Sequence, residues 1–105
     1  MTTLRVKGFG LPGGDPVDLY AVDGAWVAEP AGAVDVVAEG WILPGLVDAH
    51  THPGADHPGD PLDEKLLRDN LEEHVDAGVV AIRAPGLAGT PPDWFGRDPE
   101  LPRAV

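Results

Sequence analysis

Two patterns of apolar and polar positions divide the chain. Up to residue 43 the period is two: Leu4 and Val6 alternate with Arg5 and Lys7, and Val17, Leu19 and Ala21 alternate with Asp18 and Tyr20. Alternation of this kind predicts short, half-buried strands. Asp23-Gly24 lies between "VDLYAV" and "AWVAE", and Asp-Gly readily takes the positive φ angles of a two-residue turn, so these runs are expected to pair as an antiparallel hairpin. A third run, "VDVVAEGWIL" at residues 34–43, follows the loop "PAGA".

From Pro44 onward the pattern reads strand, helix, strand. "LVDAH" is a β-rich run opened by Pro44-Gly45, and "PGADHPGDP" is a loop. Asp60 is placed to cap a helix with Pro61 at its first position, where no amide donor is needed. The helix is expected to run to Ala77, with Leu67, Leu71, Val75 and, between them, His74 on its inner stripe. Gly78 then permits a left-handed end, and "VVAIR" at residues 79–83 is the next strand. Strands joined by a helical crossover run parallel, in a right-handed βαβ unit.

Composition narrows the partners. With 18 Asp+Glu against 7 Lys+Arg the formal net charge is −11, which repels a phosphate backbone and argues against nucleic acid. No cysteine is present, so neither disulfides nor thiolate metal sites form. No segment has the length or apolar character of a membrane span, and Gly, Pro and Asp interrupt the first thirty residues where a signal peptide needs an apolar core. A soluble, cytoplasmic protein is expected. At 105 residues a modest core is the most it can bury.

The chemistry concentrates at the end of the first strand after Pro44. Side chains at i and i+2 of a strand share a face, so His50 and His52 are expected to project together, roughly 6–7 Å apart along the backbone, and to converge on one ion. The same parity puts Leu46 and Asp48 on that face. Asp48 is therefore expected below the pair, accepting an imidazole N–H and fixing its tautomer. By itself a His-x-His pair is weak, since two loop histidines of no consequence give the same pattern.

The surrounding residues add specificity. "ILPGLVDAHTH" resembles the first-strand motif of the amidohydrolase superfamily, metal-dependent hydrolases that include imidazolonepropionase-like and dihydroorotase-like enzymes. "NLEEHVDAGVVAIRAPG" is similar to the helix and second strand of that superfamily, which commonly read "GVTTVRD", and the short N-terminal strands look like its β-sandwich leader. One departure is Ala84, which follows Arg83 where many relatives carry Asp.

The resemblance implies an α/β fold: an antiparallel β leader, part of a small β-sandwich, over residues 1–43, then the first βαβ unit of an incomplete (β/α)8 TIM barrel over 44–105. It implies one or two divalent ions, most often Zn2+, held in part by His50 and His52, and hydrolysis of amide, cyclic amide or amidine C–N bonds in a small-molecule substrate by an activated water. The remaining ligands of such enzymes, a Lys or carboxylate, two more histidines and an Asp, come from later strands. A complete barrel takes about 250 residues. "RDPELPRAV" reads as the opening of a third strand. The chain is therefore expected to be the N-terminal part of a longer hydrolase, inactive alone.

Other features carry weaker readings. "GFGLPG" matches a dinucleotide-binding glycine pattern, but Pro12, Pro16 and a strand follow where a helix must open, so a turn between strands is the better reading. His57 lies in the loop after the motif, where it is a candidate substrate contact or simply a solvated side chain. His74 is expected to point away from the site. Trp26 and Trp41 are expected to fill the sandwich core; Trp94 and Phe95 lie in a loop within reach of the site, with packing as their default reading. The competing reading of the whole chain is a non-enzymatic interaction or assembly module, and unpaired strand edges would favour homo-oligomers under either.

Overall fold

The computed structural model describes residues 2–30 and 32–105; Met1, and Ala31 in the loop expected at residues 30–33, lie outside the described residues. The chain divides into two compact units, Met1–Pro44 and Gly45–Val105.

In the first unit β1 (Thr3–Gly10), β2 (Asp15–Val22), β3 (Ala25–Val27) and β4 (Val36–Ile42) form one sheet in the order β3-β2-β1-β4. β1 and β2 are antiparallel, with Leu4 opposite Ala21 and Val6 opposite Leu19, so the alternating apolar residues share one face. The hairpin forms at Asp23 (φ 49°) and Gly24 (φ 82°), which set Val22 opposite Ala25. Both φ values fit the two-residue turn that matches strand twist. Residues 11–14 are a turn between β1 and β2, so "GFGLPG" opens no helix. A Cβ at Gly8 would collide with the Gly40 carbonyl, which gives this glycine a packing reason at the β1–β4 contact.

Two expectations fail in this unit. β4 runs parallel to β1, so the leader is a mixed sheet and not an antiparallel one. Trp26 and Trp41 fill no sandwich core: they are 69% and 65% exposed. The cause is a missing layer. Trp26 pairs with Ala21 on the apolar face, Trp41 pairs with Phe9 on the other, and among the described residues no second sheet of this unit covers either.

In the second unit β5 (Leu46–Asp48), β6 (Val79–Ile82) and β7 (Arg103–Ala104) form a parallel sheet in that order. The connection from β5 to β6 contains α1 (Glu64–Asp76). Leu67 and Leu71 on α1 are fully buried and meet Ile82 and Leu101, with Leu62, Val79, Trp94, Phe95 and Ala104 packed around them. Burial of each leucine contributes roughly 1.5–3 kcal/mol. Val75, expected on the same stripe, is exposed. Trp94 donates its indole N–H to Glu64 Oε1 (3.0 Å) and lies under the Arg68 guanidinium, so the 92–98 loop packs on the helix.

The helix starts later than expected. Asp63, not Asp60, is the N-cap, accepting from the Leu66 N–H at 2.9 Å. Residues 62 and 63 are held by other loops, Leu62 N–H on the Ala88 carbonyl and Asp63 N–H on that of Gly54, which keeps them out of the helix. Asp60 instead accepts from the His57 N–H. At the other end Gly78 has φ 85°, as a left-handed stop requires.

The expected fold class, α/β with the opening of a (β/α)8 TIM barrel, is overturned. Strand dominates, in one mixed and one small parallel sheet, and α1 is the single α-helix among the described residues. A barrel needs the helix to recur after every strand. Between β6 and β7 it does not, because that segment carries Pro85, Pro91, Pro92, Pro99 and Pro102 among Gly86, Gly89 and Gly96, residues that remove helical donors or favour coil.

Candidate metal centre

β5 ends at Asp48, two residues before His50, yet the backbone stays tethered to β6. Arg83 N–H donates to the Asp48 carbonyl (2.8 Å) and Thr51 N–H to that of Arg83 (3.0 Å). These bonds carry the chain past the strand end with His50 and His52 on one side. Their Nε2 atoms lie 3.1 Å apart, with the rings edge-on at 72°.

The hydrogen-bond network assigns the tautomers. His52 Nδ1 faces the Gly86 carbonyl at 3.2 Å, which can only accept, so Nδ1 carries a proton, and in the neutral ring Nε2 then presents a lone pair. Across the 3.1 Å gap His50 Nε2–H is then the donor to that lone pair. Two nitrogens bound tetrahedrally to one zinc are roughly 3.3 Å apart, so the observed separation fits both on a single ion. Gly86, just past β6, thus does for His52 what outer acceptors do for metal-bound imidazoles.

A third ligand is another matter. Among the described residues no group of three or more His, Cys, Asp or Glu side chains is placed to hold an ion. A catalytic zinc normally takes three protein ligands and an open position; His50 and His52 are two candidates for them.

Asp48 is engaged differently from the sequence expectation. Its Oδ1 accepts the backbone N–H of His50 (3.2 Å), and its Oδ2 faces His74 Nε2 (3.0 Å). Neither the His50 nor the His52 ring is its partner. His74, expected to point away, instead leans from α1 onto Asp48, with Nδ1 2.8 Å from the Asn70 carbonyl. Both ring nitrogens face acceptors, an arrangement that the doubly protonated ring satisfies at both ends. The Asn70 carbonyl foremost, and Asp48 with it, raises the His74 pKa against the opposing effect of burial. The His74 hydrogen bond, followed by that from the His50 N–H, lowers the Asp48 pKa.

After His52 the chain turns at Gly54, whose φ is 87° and where a Cβ would sit 2.6 Å from Leu62 Cδ1 and 3.1 Å from Leu67 Cβ. Only glycine suits both the angle and the space. Gly54 N–H donates to Asn70 Oδ1 at 3.0 Å. Asn70 and His74 are the residues that the sequence reading missed as contributors here. The available signal was a pair of polar residues four apart beside a buried apolar stripe, where a partner is required.

A cavity of about 410 Å3 adjoins His52, bounded by His57, Asp56 and Asp60 on one loop and by Gly86, Leu87 and Ala88 on the other. His57 stands on its wall, largely solvated, with Nδ1 3.5 Å from Asp60 Oδ2. The cavity has the size of a small-molecule pocket. Among the described residues no helix is long and apolar enough to cross a membrane.

The chain is similar to an uncharacterized protein of Mycobacterium tuberculosis and to one of Mycobacterium bovis, with 41% identity over 106 aligned residues. The match takes in 97% of this chain and 27% of each relative, so the chain spans about a quarter of the length of the curated relatives it matches. No protein-family model matches it. No solved structure matches it.

Proposed function

We propose that the Gly45–Val105 unit carries two ligands, His50 and His52, of the metal site of a hydrolase that cleaves C–N bonds in amides, cyclic amides or amidines. The observation that carries this reading is the 3.1 Å approach of the two Nε2 atoms, with the His52 lone pair aimed at its neighbour by the Gly86 carbonyl. The resemblance of "ILPGLVDAHTH" to the amidohydrolase motif supplies the reaction class. The chemistry that a divalent ion, zinc first, brings to such a site is a water activated at neutral pH and polarisation of the scissile carbonyl.

The chain's own residues have narrower tasks. His50 and His52 hold the ion, Gly86 fixes the His52 tautomer, and the cavity beside His57 receives part of a small substrate. Two ligands leave the ion underheld, so the 105-residue chain is inactive by itself, and the remaining donors belong to a longer protein; the 27% coverage of its relatives supports that view. A cytoplasmic location is part of the same reading.

Zinc titration of the purified chain, followed by the histidine NMR signals, tests the metal half. Saturable binding is expected, weakened at least about tenfold by His50→Ala or His52→Ala and left within about twofold by His57→Ala. Binding indifferent to His50 and His52 overturns the assignment. For the hydrolase half, the full-length Mycobacterium tuberculosis relative should hydrolyse members of a cyclic amide panel and lose that activity to a chelator. Chelator-resistant hydrolysis, or none, would sink it.

A second reading has one observation in its favour. Trp26 on one face of the first unit's sheet, and Phe9 with Trp41 on the other, are exposed, as assembly surfaces would have them. On that reading the sheet, and not the histidines, carries the function.

A further inference from the structure

Two backbone N–H groups bracket the dihistidine, and both are capped by side chains. On the upstream side the His50 N–H donates to Asp48 Oδ1; on the downstream side the Gly54 N–H donates to Asn70 Oδ1. Both caps lead to the same turn of α1. Asp48 Oδ2 accepts from His74 Nε2, and His74 Nδ1 donates to the Asn70 carbonyl. Asn70 therefore serves twice, with its side chain at Gly54 and its main chain at His74, one helical turn away.

The anchor is packed into the core. Asn70 adjoins Leu71, which with Leu67 is fully buried. The bracketed residues are otherwise loop, and bringing two imidazoles together on free loop would cost roughly 1–2 kcal/mol of backbone entropy per residue fixed. A loop tied at both ends to a packed helix has already met that cost when an ion arrives.

We propose that Asn70 and His74 are positioning residues that preset His50 and His52 for a metal ion, by clamping the backbone on both sides of the pair to one turn of α1. This rests on the metal reading above, and it gives α1 a role at the site that no ligand motif indicates. Neither residue touches the ion; each acts through a backbone amide.

The test uses the 105-residue chain at one near-neutral pH, the same for every variant, since protons compete with metal for imidazole and His74 needs both ring protons for its two hydrogen bonds. Four variants are compared with wild type for zinc affinity and for amide hydrogen exchange at His50 and Gly54: Asn70→Ala, Asn70→Asp, His74→Phe and His57→Ala as control. Asn70→Ala and His74→Phe should each weaken zinc binding about tenfold, the scale at which outer-shell partners act on metal sites. Asn70→Ala should also speed exchange at Gly54, and His74→Phe at His50. Asn70→Asp keeps an acceptor for the Gly54 N–H and should restore affinity and exchange to near wild type. Slow exchange at the Leu67 and Leu71 amides shows that α1 stays folded, and His74→Phe tests the clamp from its other end should Asn70→Ala not fold.

Zinc affinity equal to wild type in Asn70→Ala and His74→Phe overturns the inference and leaves the metal reading standing. Loss in Asn70→Ala without rescue by Asn70→Asp overturns it as well. A wild-type chain that binds no zinc removes the metal reading and this inference with it.

Discussion

In the Met1–Pro44 unit the strands satisfy one another's backbone groups but bury few side chains, and among its described residues Tyr20 is the one buried large hydrophobic. In the Gly45–Val105 unit Leu67, Leu71, Ile82 and Leu101 close a core, although its strands are shorter. The contrast separates two things that sequence patterns tend to merge. A hydrogen-bond ladder sets register, as Leu4 opposite Ala21 shows, without supplying packing. The geometry of the histidine pair depends on packing, because α1 holds its clamp only while the leucine face is seated.

The largest effect that sharpens this contrast is expected at Leu71. Leu71→Ala removes a fully buried side chain and should destabilise the second unit by about 2–5 kcal/mol, the usual range for such truncations. Denaturant unfolding, read from the Trp94 environment and from exchange at the Ile82 amide, measures it. A loss below about 1 kcal/mol would mean that the core is looser than the packing shows.

A smaller effect is expected from pH, and its sign follows from the Asp48–His74 pair. The His74 pKa is raised, so its contribution is complete below the ordinary histidine value of about 6.5 and disappears as pH climbs through the raised folded value. The Asp48 pKa is lowered, so its contribution is present above about 3.9 and disappears as pH falls through the lowered folded value. The metal-free wild type should therefore exceed His74→Gln in stability most between these limits. Matched unfolding curves across pH check this; a difference that grows above neutrality contradicts the doubly protonated ring.

How far the sequence could be read differs between the same two regions. In the sheet the period-two alternation and Asp23-Gly24 located β1, β2 and β3, because strand parity and turn chemistry are local. Burial was not local: Trp26 reads as core from its strand position, yet what would cover it is not in that strand. In the second unit Leu67 and Leu71 were legible from helical spacing, and the shared side of His50 and His52 from their i, i+2 spacing. The partner of Asp48 was not legible, since parity fixes a face but not which of three histidines reaches it. His74 crosses from the helix, and that approach depends on how α1 lies on β5 and β6. The barrel expectation failed for a readable reason: the proline and glycine series after Arg83 disfavours a second helix.

The smallest change in stability is expected at Trp26. The side chain is 69% exposed, and its cross-strand partner is Ala21, so Trp26→Ser removes little contact and should alter unfolding free energy by no more than about 0.5 kcal/mol. The informative quantity is association. If the apolar sheet face is a contact surface, wild type should sediment as a concentration-dependent mixture, and Trp26→Ser should shift it toward monomer. A stability loss as large as that of Leu71→Ala would show that Trp26 is packed after all, and the contrast between the two units would fall. Unchanged stability with unchanged sedimentation would leave the face without a partner role and weigh the functional reading toward the histidine pair.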